Sequence, residues 1–178
     1  MKIIILGKGY VGTHLYNTLN SYSGRYGEKN NINLYSKSEL DYTDSYTLLN
    51  EMNPLERNVI INCSGFTGRP NVDEGESKKE ECWKYNVQVP LSLNKVSNEV
   101  GAEIIHITSG CIYTGYDKDW EEEDTPNFGI YSNSSSFYSK SKHAFETLSD
   151  TGLHLRIRMP FCNSLHERSF LTKIYNYD

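Results

Sequence analysis

The sequence predicts an α/β fold, a Rossmann-type doubly wound parallel sheet with helices on both faces. Short aliphatic segments alternate with segments of helical periodicity, the pattern of parallel strands joined by crossover helices. The first aliphatic segment, Lys2–Leu6, runs directly into the glycine-rich Gly7-Lys8-Gly9-Tyr10-Val11-Gly12. A strand, a glycine turn and a helix in immediate succession are typical of the unit that begins this fold.

Five short segments are predicted to be strands, and the first of them is too short for a helix and rich in β-branched residues. They are Lys2–Leu6, Ile32–Tyr35, Val59–Asn62, Glu103–Ile107 and Leu153–Ile157.

Helical segments separate the strands. Leu15 and Leu19 have helical spacing within Thr13–Asn20, and Asp44 is placed to cap a helix that ends near Met52, before Pro54. We also predict a long helix over Lys78–Val100 with an irregularity at Pro90, a helix over Phe137–Ser149, and the start of another after Asn163. Three polar segments are predicted to be loops: Ser21–Asn31, Thr67–Ser77 and most of Ser109–Ser136.

The composition argues against several classes of protein. The 178 residues, 37% of them hydrophobic, can bury a sizeable core. A formal net charge of −5 argues against a general nucleic-acid or anionic-membrane binder, since both need a basic face. No segment approaches the roughly 18 apolar residues of a membrane span, and the run Ile3–Leu6 is too short for a signal peptide. We therefore expect a cytoplasmic protein that binds neither nucleic acid nor membrane.

The cysteines predict no metal site. Cys63, Cys82, Cys111 and Cys162 contain no Cys-x-x-Cys pair, and the histidines do not cluster with them along the chain. Disulfides are not expected in a cytosolic chain, so some of these thiols should pack as small apolar groups.

The glycine motif is the first candidate binding site. Gly7 would permit a tight turn, Gly9 would let a pyrophosphate approach the backbone, and Gly12 would let helix and strand pack closely. The free N–H groups and the positive end of the helix dipole would hold the anion. The alternative is an ordinary strand–helix turn that happens to contain glycines.

The end of the second strand bears on the choice of cofactor. An acidic residue there would bind the ribose 2′-hydroxyl of NAD, but the sequence has Ser36 and Lys37. A hydroxyl and a cation suit a 2′-phosphate, so we predict NADPH in preference to NADH, with Arg25 a weaker candidate for the same phosphate. The alternative for Lys37 is a solvated surface lysine.

Tyr138 and Lys142 form a Tyr-x-x-x-Lys pair. On a helix, residues four apart share a face, and a nearby ammonium can hold the pKa of the tyrosine down so that the phenol exchanges a proton near neutral pH. Ser109 ends the fourth strand and could hydrogen-bond a reacting carbonyl oxygen beside Tyr138. The spacing alone also fits a surface pair, but these three residues downstream of a glycine motif are the parts of the short-chain dehydrogenase/reductase arrangement, which residues 1 to about 160 resemble.

Several longer strings carry a closer resemblance. The most specific are Thr67-Gly68-Arg69-Pro70-Asn71-Val72-Asp73 and Glu123-Asp124-Thr125-Pro126-Asn127-Phe128. Together with Ser109-Gly110-Cys111-Ile112-Tyr113 and Phe170-Leu171-Thr172-Lys173-Ile174, they resemble the nucleotide-sugar 3,5-epimerase/4-reductases of UDP-L-rhamnose synthesis. The wider group includes dTDP-4-dehydrorhamnose reductase. Nearly the whole chain is covered by this resemblance.

The resemblance implies roles for individual residues. Tyr138 would protonate the C4 oxygen as hydride arrives from NADPH, Lys142 would tune Tyr138 and bind the nicotinamide ribose, and Ser109 would orient the ketone. Further cofactor contacts are implied for Tyr10, Val11, Cys63, Ser64, Gly65, Met159 and Pro160. The nucleotide-sugar substrate would meet Thr67, Arg69 and Asn127, which follow predicted strands where open α/β sheets bind ligands.

Epimerisation requires a base and an acid on opposite faces of the sugar. The resemblance implies Cys111 as the base and Lys173 as the acid. From the residues alone, Cys111 fits a packed core thiol and Lys173 a surface lysine.

The expected domain division places an NADP-binding domain with the catalytic residues in 1–162. Residues 163–178 would begin a substrate-binding lobe that is cut short, so the chain is expected to be either a fragment or a shortened protein. Three functions stay open: a bifunctional epimerase/reductase, a dTDP-4-dehydrorhamnose reductase without epimerase activity, and a non-catalytic nucleotide-binding regulatory module. A homodimer is an expectation of the resemblance, and the choice among UDP, dTDP and GDP sugars stays open.

Overall fold

Five parallel strands form one sheet in a computed structural model, which describes residues 1–23, 31–116 and 118–177. The strands are β1 (Lys2–Leu6), β2 (Asn31–Tyr35), β3 (Asn58–Asn62), β4 (Glu103–Ser109) and β5 (Leu153–Ile157). Their spatial order is β2-β1-β3-β4-β5, and every neighbouring pair is parallel. The chain leaves β1 toward β2 on one side and returns to β3 on the other, which creates a topological switch point between β1 and β3.

Helices cover both faces of the sheet, as predicted. They are α1 (Tyr10–Ser23), α2 (Ser45–Glu51), α3 (Glu74–Ser77), α4 (Lys79–Trp83), α5 (Val89–Val100), α6 (Phe137–Leu148) and α7 (Phe170–Tyr175). Alternation along β1 divides the core: Ile3 and Ile5 face the α1 side with Leu15, whereas Ile4 and Leu6 face the α2 and α5 side with Leu93. The doubly wound prediction is therefore confirmed.

The predicted single helix over Lys78–Val100 is interrupted. A π-helical segment, Lys84–Gln88, separates α4 from α5 just before Pro90. Proline has no backbone N–H and its ring crowds the carbonyl four residues earlier, so wider hydrogen bonding in the preceding turn accommodates it. The irregularity was predicted at Pro90, and it lies in the turn that precedes this residue.

Two predicted loops contain short helical turns. The Thr67–Ser77 segment ends in α3, where the Lys78 Nζ lies 2.6 Å from the Glu74 carboxylate one turn away. The segment after β4 begins with a 3₁₀ turn, Gly110–Ile112, capped by the Ser109 side chain. Asp44 caps α2 as predicted, accepting from the N–H groups of Tyr46 and Thr47. In 1–23, 31–116 and 118–177, no helix is long and apolar enough to span a membrane.

Candidate active site

The turn after β1 is built on backbone contacts that only glycine permits. Gly7 has φ of +102°, and a Cβ there would lie 2.7 Å from the Ser64 nitrogen on the turn after β3. A Cβ on Gly12 would lie 2.1 Å from the Gly7 carbonyl oxygen. Gly9, by contrast, has open space where a Cβ would stand. Gly7 and Gly12 therefore serve the fold, while Gly9 leaves room for a ligand at the start of α1.

A cleft of about 820 Å³ opens beside this turn. Residues from the turns after β1, β3 and β5 and from α7 line it, so it lies at the carboxyl ends of the strands. The sequence-predicted residues among its lining are Gly9, Tyr10, Val11, Cys63, Gly65, Thr67, Arg69, Pro160 and Lys173. Met159 precedes Pro160 and adopts a left-handed φ of 51°, an uncommon conformation for a side chain of this size.

The turn after β2 holds a carboxylate that the sequence reasoning missed. Glu39 accepts hydrogen bonds from the Ser36 N–H and the Ser36 hydroxyl, both at 2.8 Å, and it pairs with Lys8 at 2.8 Å. These donors, the Lys8 ammonium foremost, lower the Glu39 pKa to about 2. Lys37 donates instead to the Tyr85 hydroxyl at 2.8 Å. The other predicted phosphate partner, Arg25, lies outside the described residues.

Ser109, Tyr138 and Lys142 are brought together by β4 and α6. Ser136 caps α6, and the helix places Tyr138 and Lys142 one turn apart on its buried face, each only 7% exposed. The Ser109 side chain, at the end of β4, lies close enough to the Tyr138 phenol to lower its pKa, and the Lys142 Nζ lies 5.9 Å from the Tyr138 ring centroid. The three predicted side chains therefore form one buried cluster.

Burial controls the protonation of this cluster. It raises the pKa of Tyr138 to about 12, against a smaller opposing effect of the nearby Ser109 side chain. It lowers the pKa of Lys142 to about 8, because the charged ammonium is poorly solvated. The prediction that Lys142 holds the Tyr138 pKa down is wrong for this structure, since desolvation of the phenol dominates.

Asn86 supports the cluster and was also missed by the sequence reasoning. Its side chain lies on the π-helical segment, accepts from the Phe66 N–H at 2.9 Å and donates to the Phe66 carbonyl at 3.0 Å and the Ser141 hydroxyl at 3.0 Å. A Cβ on Gly65 would lie 3.0 Å from the Asn86 Oδ1 and 3.1 Å from the Lys142 Nζ. An asparagine four residues before a proline, within a predicted helix, was the available signal.

The remaining predicted residues occupy different positions around the site. Cys111 is half-buried in the 3₁₀ turn, and its N–H donates to the Ser109 hydroxyl at 3.2 Å. Lys173 is exposed on α7 at the edge of the cleft. The Asn127 side-chain amide accepts a hydrogen bond from the Thr114 N–H and donates one to the Thr114 carbonyl, each at 2.9 Å. Lys173 and Asn127 are not gathered into the Ser109–Tyr138–Lys142 cluster, whereas Cys111 adjoins it through Ser109.

Arg168 is a further cleft residue that the sequence reasoning did not identify. Its guanidinium donates to the Gly68 carbonyl at 3.0 Å and approaches the Thr67 hydroxyl at 3.5 Å. It has no carboxylate partner among the described residues. Its positive charge therefore faces the cleft without compensation from an ion pair.

Comparison with known proteins identifies the family. The sequence model of the RmlD substrate binding domain matches residues 1–177. The chain belongs to the RmlD substrate binding domain family. This assignment agrees with the resemblance drawn from the Thr67–Asp73 and Glu123–Phe128 strings.

Two of the similar proteins have names that place them in rhamnose synthesis. The RmlD-family chain is 36% identical over 191 residues to an Arabidopsis thaliana trifunctional UDP-glucose 4,6-dehydratase/UDP-4-keto-6-deoxy-D-glucose 3,5-epimerase/UDP-4-keto-L-rhamnose-reductase. That match covers 100% of this chain and 26% of the plant protein. The crystal structure of a UDP-rhamnose synthase from Acanthamoeba polyphaga mimivirus matches with a TM-score of 0.77 and 27% identity, covering 99% of this chain and 62% of that one.

A third similar protein supports the fold alone. The dTDP-4-dehydrorhamnose reductase of Bacillus anthracis, crystallised in complex with NADP, matches with a TM-score of 0.65 and 22% identity. The match covers 87% of this chain and 52% of that one.

The contrast between Gly12 and Gly9 gives a stability prediction. Gly12→Ala should lower the free energy of unfolding by about 1–3 kcal/mol, because the new methyl meets the Gly7 carbonyl. Gly9→Ala should change it by less than about 0.5 kcal/mol, because its methyl meets nothing. Urea unfolding of the two variants measures both values. Equal losses would show that the two glycines do not differ in this way.

The buried amine of Lys142 predicts a pH-dependent stability. Between pH 8 and pH 10 the unfolded lysine holds a proton that the folded one has lost, so this residue makes stability rise with pH. Below pH 8 both states are protonated, and the buried charge opposes folding. Lys142→Met should therefore be more stable than the wild type at pH 7, by on the order of 2 kcal/mol, with the difference shrinking toward pH 10.

The comparison is made by urea unfolding at several pH values. Cys63, whose pKa burial raises to about 12, acts in the opposite direction above pH 9, but equally in both proteins. Lys95→Met, at an exposed position on α5, is the matched control and should show no such change with pH. If the free energies of unfolding of Lys142→Met and the wild type differ by the same amount from pH 7 to pH 10, the assigned burial of the amine is contradicted.

Proposed function

We propose that the chain is an NADPH-dependent reductase of a nucleotide-linked 4-keto-6-deoxy hexose in rhamnose biosynthesis. The buried Ser109–Tyr138–Lys142 cluster, on the same edge of the sheet as the glycine-turn cleft, carries the proposal. It joins a proton donor to a site suited to a dinucleotide. The names of the relatives support the substrate class, a UDP- or dTDP-linked sugar, although the chain spans only about a quarter of the trifunctional plant protein.

The cofactor would lie along the glycine turn. Gly9 leaves the backbone open, and the first N–H groups of α1 supply the donors for a pyrophosphate. The bound cofactor would supply a hydride to the C4 carbonyl carbon. Ser36 and Lys37 favour the 2′-phosphate of NADPH, for which Lys37 would exchange its hydrogen bond with Tyr85. Glu39 is already held by Lys8 and Ser36, which reduces its repulsion of that phosphate.

Tyr138 would complete the reduction by giving its proton to the C4 oxygen. With a pKa of about 12, the phenol is protonated at neutral pH and can act as an acid. Ser109 would hold the carbonyl oxygen beside the phenol. The Lys142 ammonium would stabilise the tyrosinate left behind, and the low pKa of that amine would ease the return of a proton.

The nucleotide sugar would occupy the part of the cleft farther from the glycine turn, held by Thr67 and Arg69. Asn127 lies outside the cleft lining and would have to exchange its hydrogen bonds with the Thr114 backbone to reach the sugar. Arg168 and Lys173, which form no ion pair among the described residues, add positive charge there, which suits a diphosphate, although Glu167 also lines the cleft. We place the division between cofactor and substrate regions at residues 162 and 163, so that α7 belongs to the substrate side.

A second activity, 3,5-epimerisation, is proposed on the position of Cys111. Its backbone N–H donates to the Ser109 hydroxyl, so its thiol would lie beside the ketone site. The carbonyl at C4 makes the protons at C3 and C5 acidic. Cys111 would remove such a proton, and Lys173 would return one on the opposite face. If exchange fails while reduction proceeds, the function reduces to a 4-dehydrorhamnose reductase, and if both fail the chain is a nucleotide-binding module.

Replacement of the phenol tests the reductase. Tyr138→Phe should slow NADPH oxidation with a 4-keto nucleotide sugar by about 10²–10⁴-fold, because only the acidic hydroxyl is lost. Its NADPH affinity should stay at the wild-type value in a fluorescence titration. Tyr46→Phe, at an exposed position on α2, is the control. Near-full activity of Tyr138→Phe would remove Tyr138 from the mechanism.

Deuterium exchange tests the epimerase separately from the reductase. In D₂O without NADPH, the wild type should introduce deuterium at C3 and C5 of a nucleotide-linked 4-keto-6-deoxy hexose. Cys111→Ser should suppress this exchange, because a serine hydroxyl is a far weaker base than a thiolate. Cys162→Ser is the thiol control. Exchange by Cys111→Ser at the wild-type rate would show that Cys111 only packs.

A further inference from the structure

A buried row of hydrogen bonds runs behind the candidate active site. It joins Ser64 to Asn62 at the end of β3, Asn62 to His106 on β4, and His106 to Asn94 on α5. The side chains of Asn62, His106 and Asn94 are 3%, 1% and 4% exposed. Asn62 and His106 are direct partners in the β3–β4 register. The proposed reaction uses none of these three residues.

The pattern of donors and acceptors fixes the orientation of each group. The Asn62 Oδ1 accepts from the Ser64 N–H at 3.0 Å and from the Ser64 hydroxyl at 2.6 Å. Its Nδ2 donor therefore faces the His106 Nδ1 at 3.1 Å, which must be unprotonated to accept. The ring proton then lies on Nε2, 2.7 Å from the Asn94 Oδ1. The Asn94 Nδ2 donates in turn to the Ser149 hydroxyl at 2.8 Å, and this hydroxyl donates its own proton to the Thr151 carbonyl at 3.0 Å, which agrees with this direction.

The neutral state of His106 is required by this arrangement. A proton on Nδ1 would face the Asn62 Nδ2 donor and turn the amide, which would then present a donor to the Ser64 N–H. Burial, together with the positive charges of His154 and Lys142, lowers the pKa of His106 to about 3, so the ring is neutral at physiological pH.

We propose that His106 is a positioning residue that acts through Asn62 to hold the turn at Ser64 and Gly65. The proposal rests on the proposed function, because this turn lies between the two halves of the site. Its Ser64 nitrogen is 2.7 Å from where a Gly7 Cβ would be, and Gly65 faces the Lys142 Nζ. Without the His106 acceptor, the Asn62 amide would no longer be fixed in orientation. The turn at Ser64 and Gly65 would then lose its position relative to Gly7 and to Lys142.

Two variants separate this role from general stability. His106→Phe keeps an aromatic ring against Phe145 but removes the Nδ1 acceptor. Asn94→Leu breaks the same row at its far end and leaves the contact between Asn62 and His106 in place. Amide hydrogen exchange of the ligand-free chain reports the Ser64 N–H directly. The Phe66 N–H, held by Asn86, is the internal control.

His106→Phe should raise the hydrogen-exchange rate of the Ser64 amide about tenfold, and the NADPH dissociation constant about tenfold as well. Asn94→Leu should change neither quantity by more than about twofold. In the Asn62→Ala background, His106→Phe should have no further effect on NADPH binding, because its route to the turn is already cut. Equal effects of the two single variants, or additive effects with Asn62→Ala, would overturn the proposal.

A measurement on the wild type covers the case in which His106→Phe does not fold. The ¹⁵N chemical shifts of His106 should report the neutral Nε2–H tautomer, and an Nδ1–H tautomer would overturn the proposal. If the wild type fails to bind NADPH, the proposed function fails. Ser64 exchange and the tautomer still decide whether His106 holds the turn.

Discussion

The close approach of two backbone turns, at Gly7 after β1 and at Ser64 after β3, is the constraint on which the rest of the structure depends. The absence of a side chain on Gly7 lets the turns meet at the switch point of the sheet, where neighbouring crossovers diverge and a cleft opens. The same turn after β3 presents Gly65 to the Lys142 amine. One contact between backbones therefore helps to set the distance between the glycine-turn cleft and the buried Lys142 amine.

Burial gives the candidate active site its chemistry. The phenol of Tyr138 and the amine of Lys142 share the buried face of α6, and desolvation moves their pKa values in opposite directions. The phenol is kept protonated at neutral pH, and the amine loses its proton more readily than an exposed lysine does. The helix that supplies both side chains is itself positioned by the π-helical segment through Asn86 and Ser141, so the interruption before Pro90 contributes to the site.

Much of this arrangement could be predicted from local sequence. The strands follow from apolar blocks, α2 from the Asp44 cap, and the glycine turn from its place between β1 and α1. Contacts between distant residues could not be predicted. Glu39 reaches Ser36 and Lys8 only because the chain turns after β2, and the pKa of Tyr138 depends on how deeply α6 packs. The spacing of Tyr138 and Lys142 indicated proximity but not the balance between charge and desolvation.

The most direct test of the account follows a labelled hydride. The chain is incubated with UDP-4-keto-6-deoxyglucose, or its dTDP counterpart, and NADPH that carries deuterium at the transferable C4 position of the nicotinamide. The account predicts a product with deuterium on C4 of the hexose, seen by mass spectrometry and NMR. Binding of the labelled NADPH with no deuterium transferred to either sugar would contradict the reductase and leave a nucleotide-binding module.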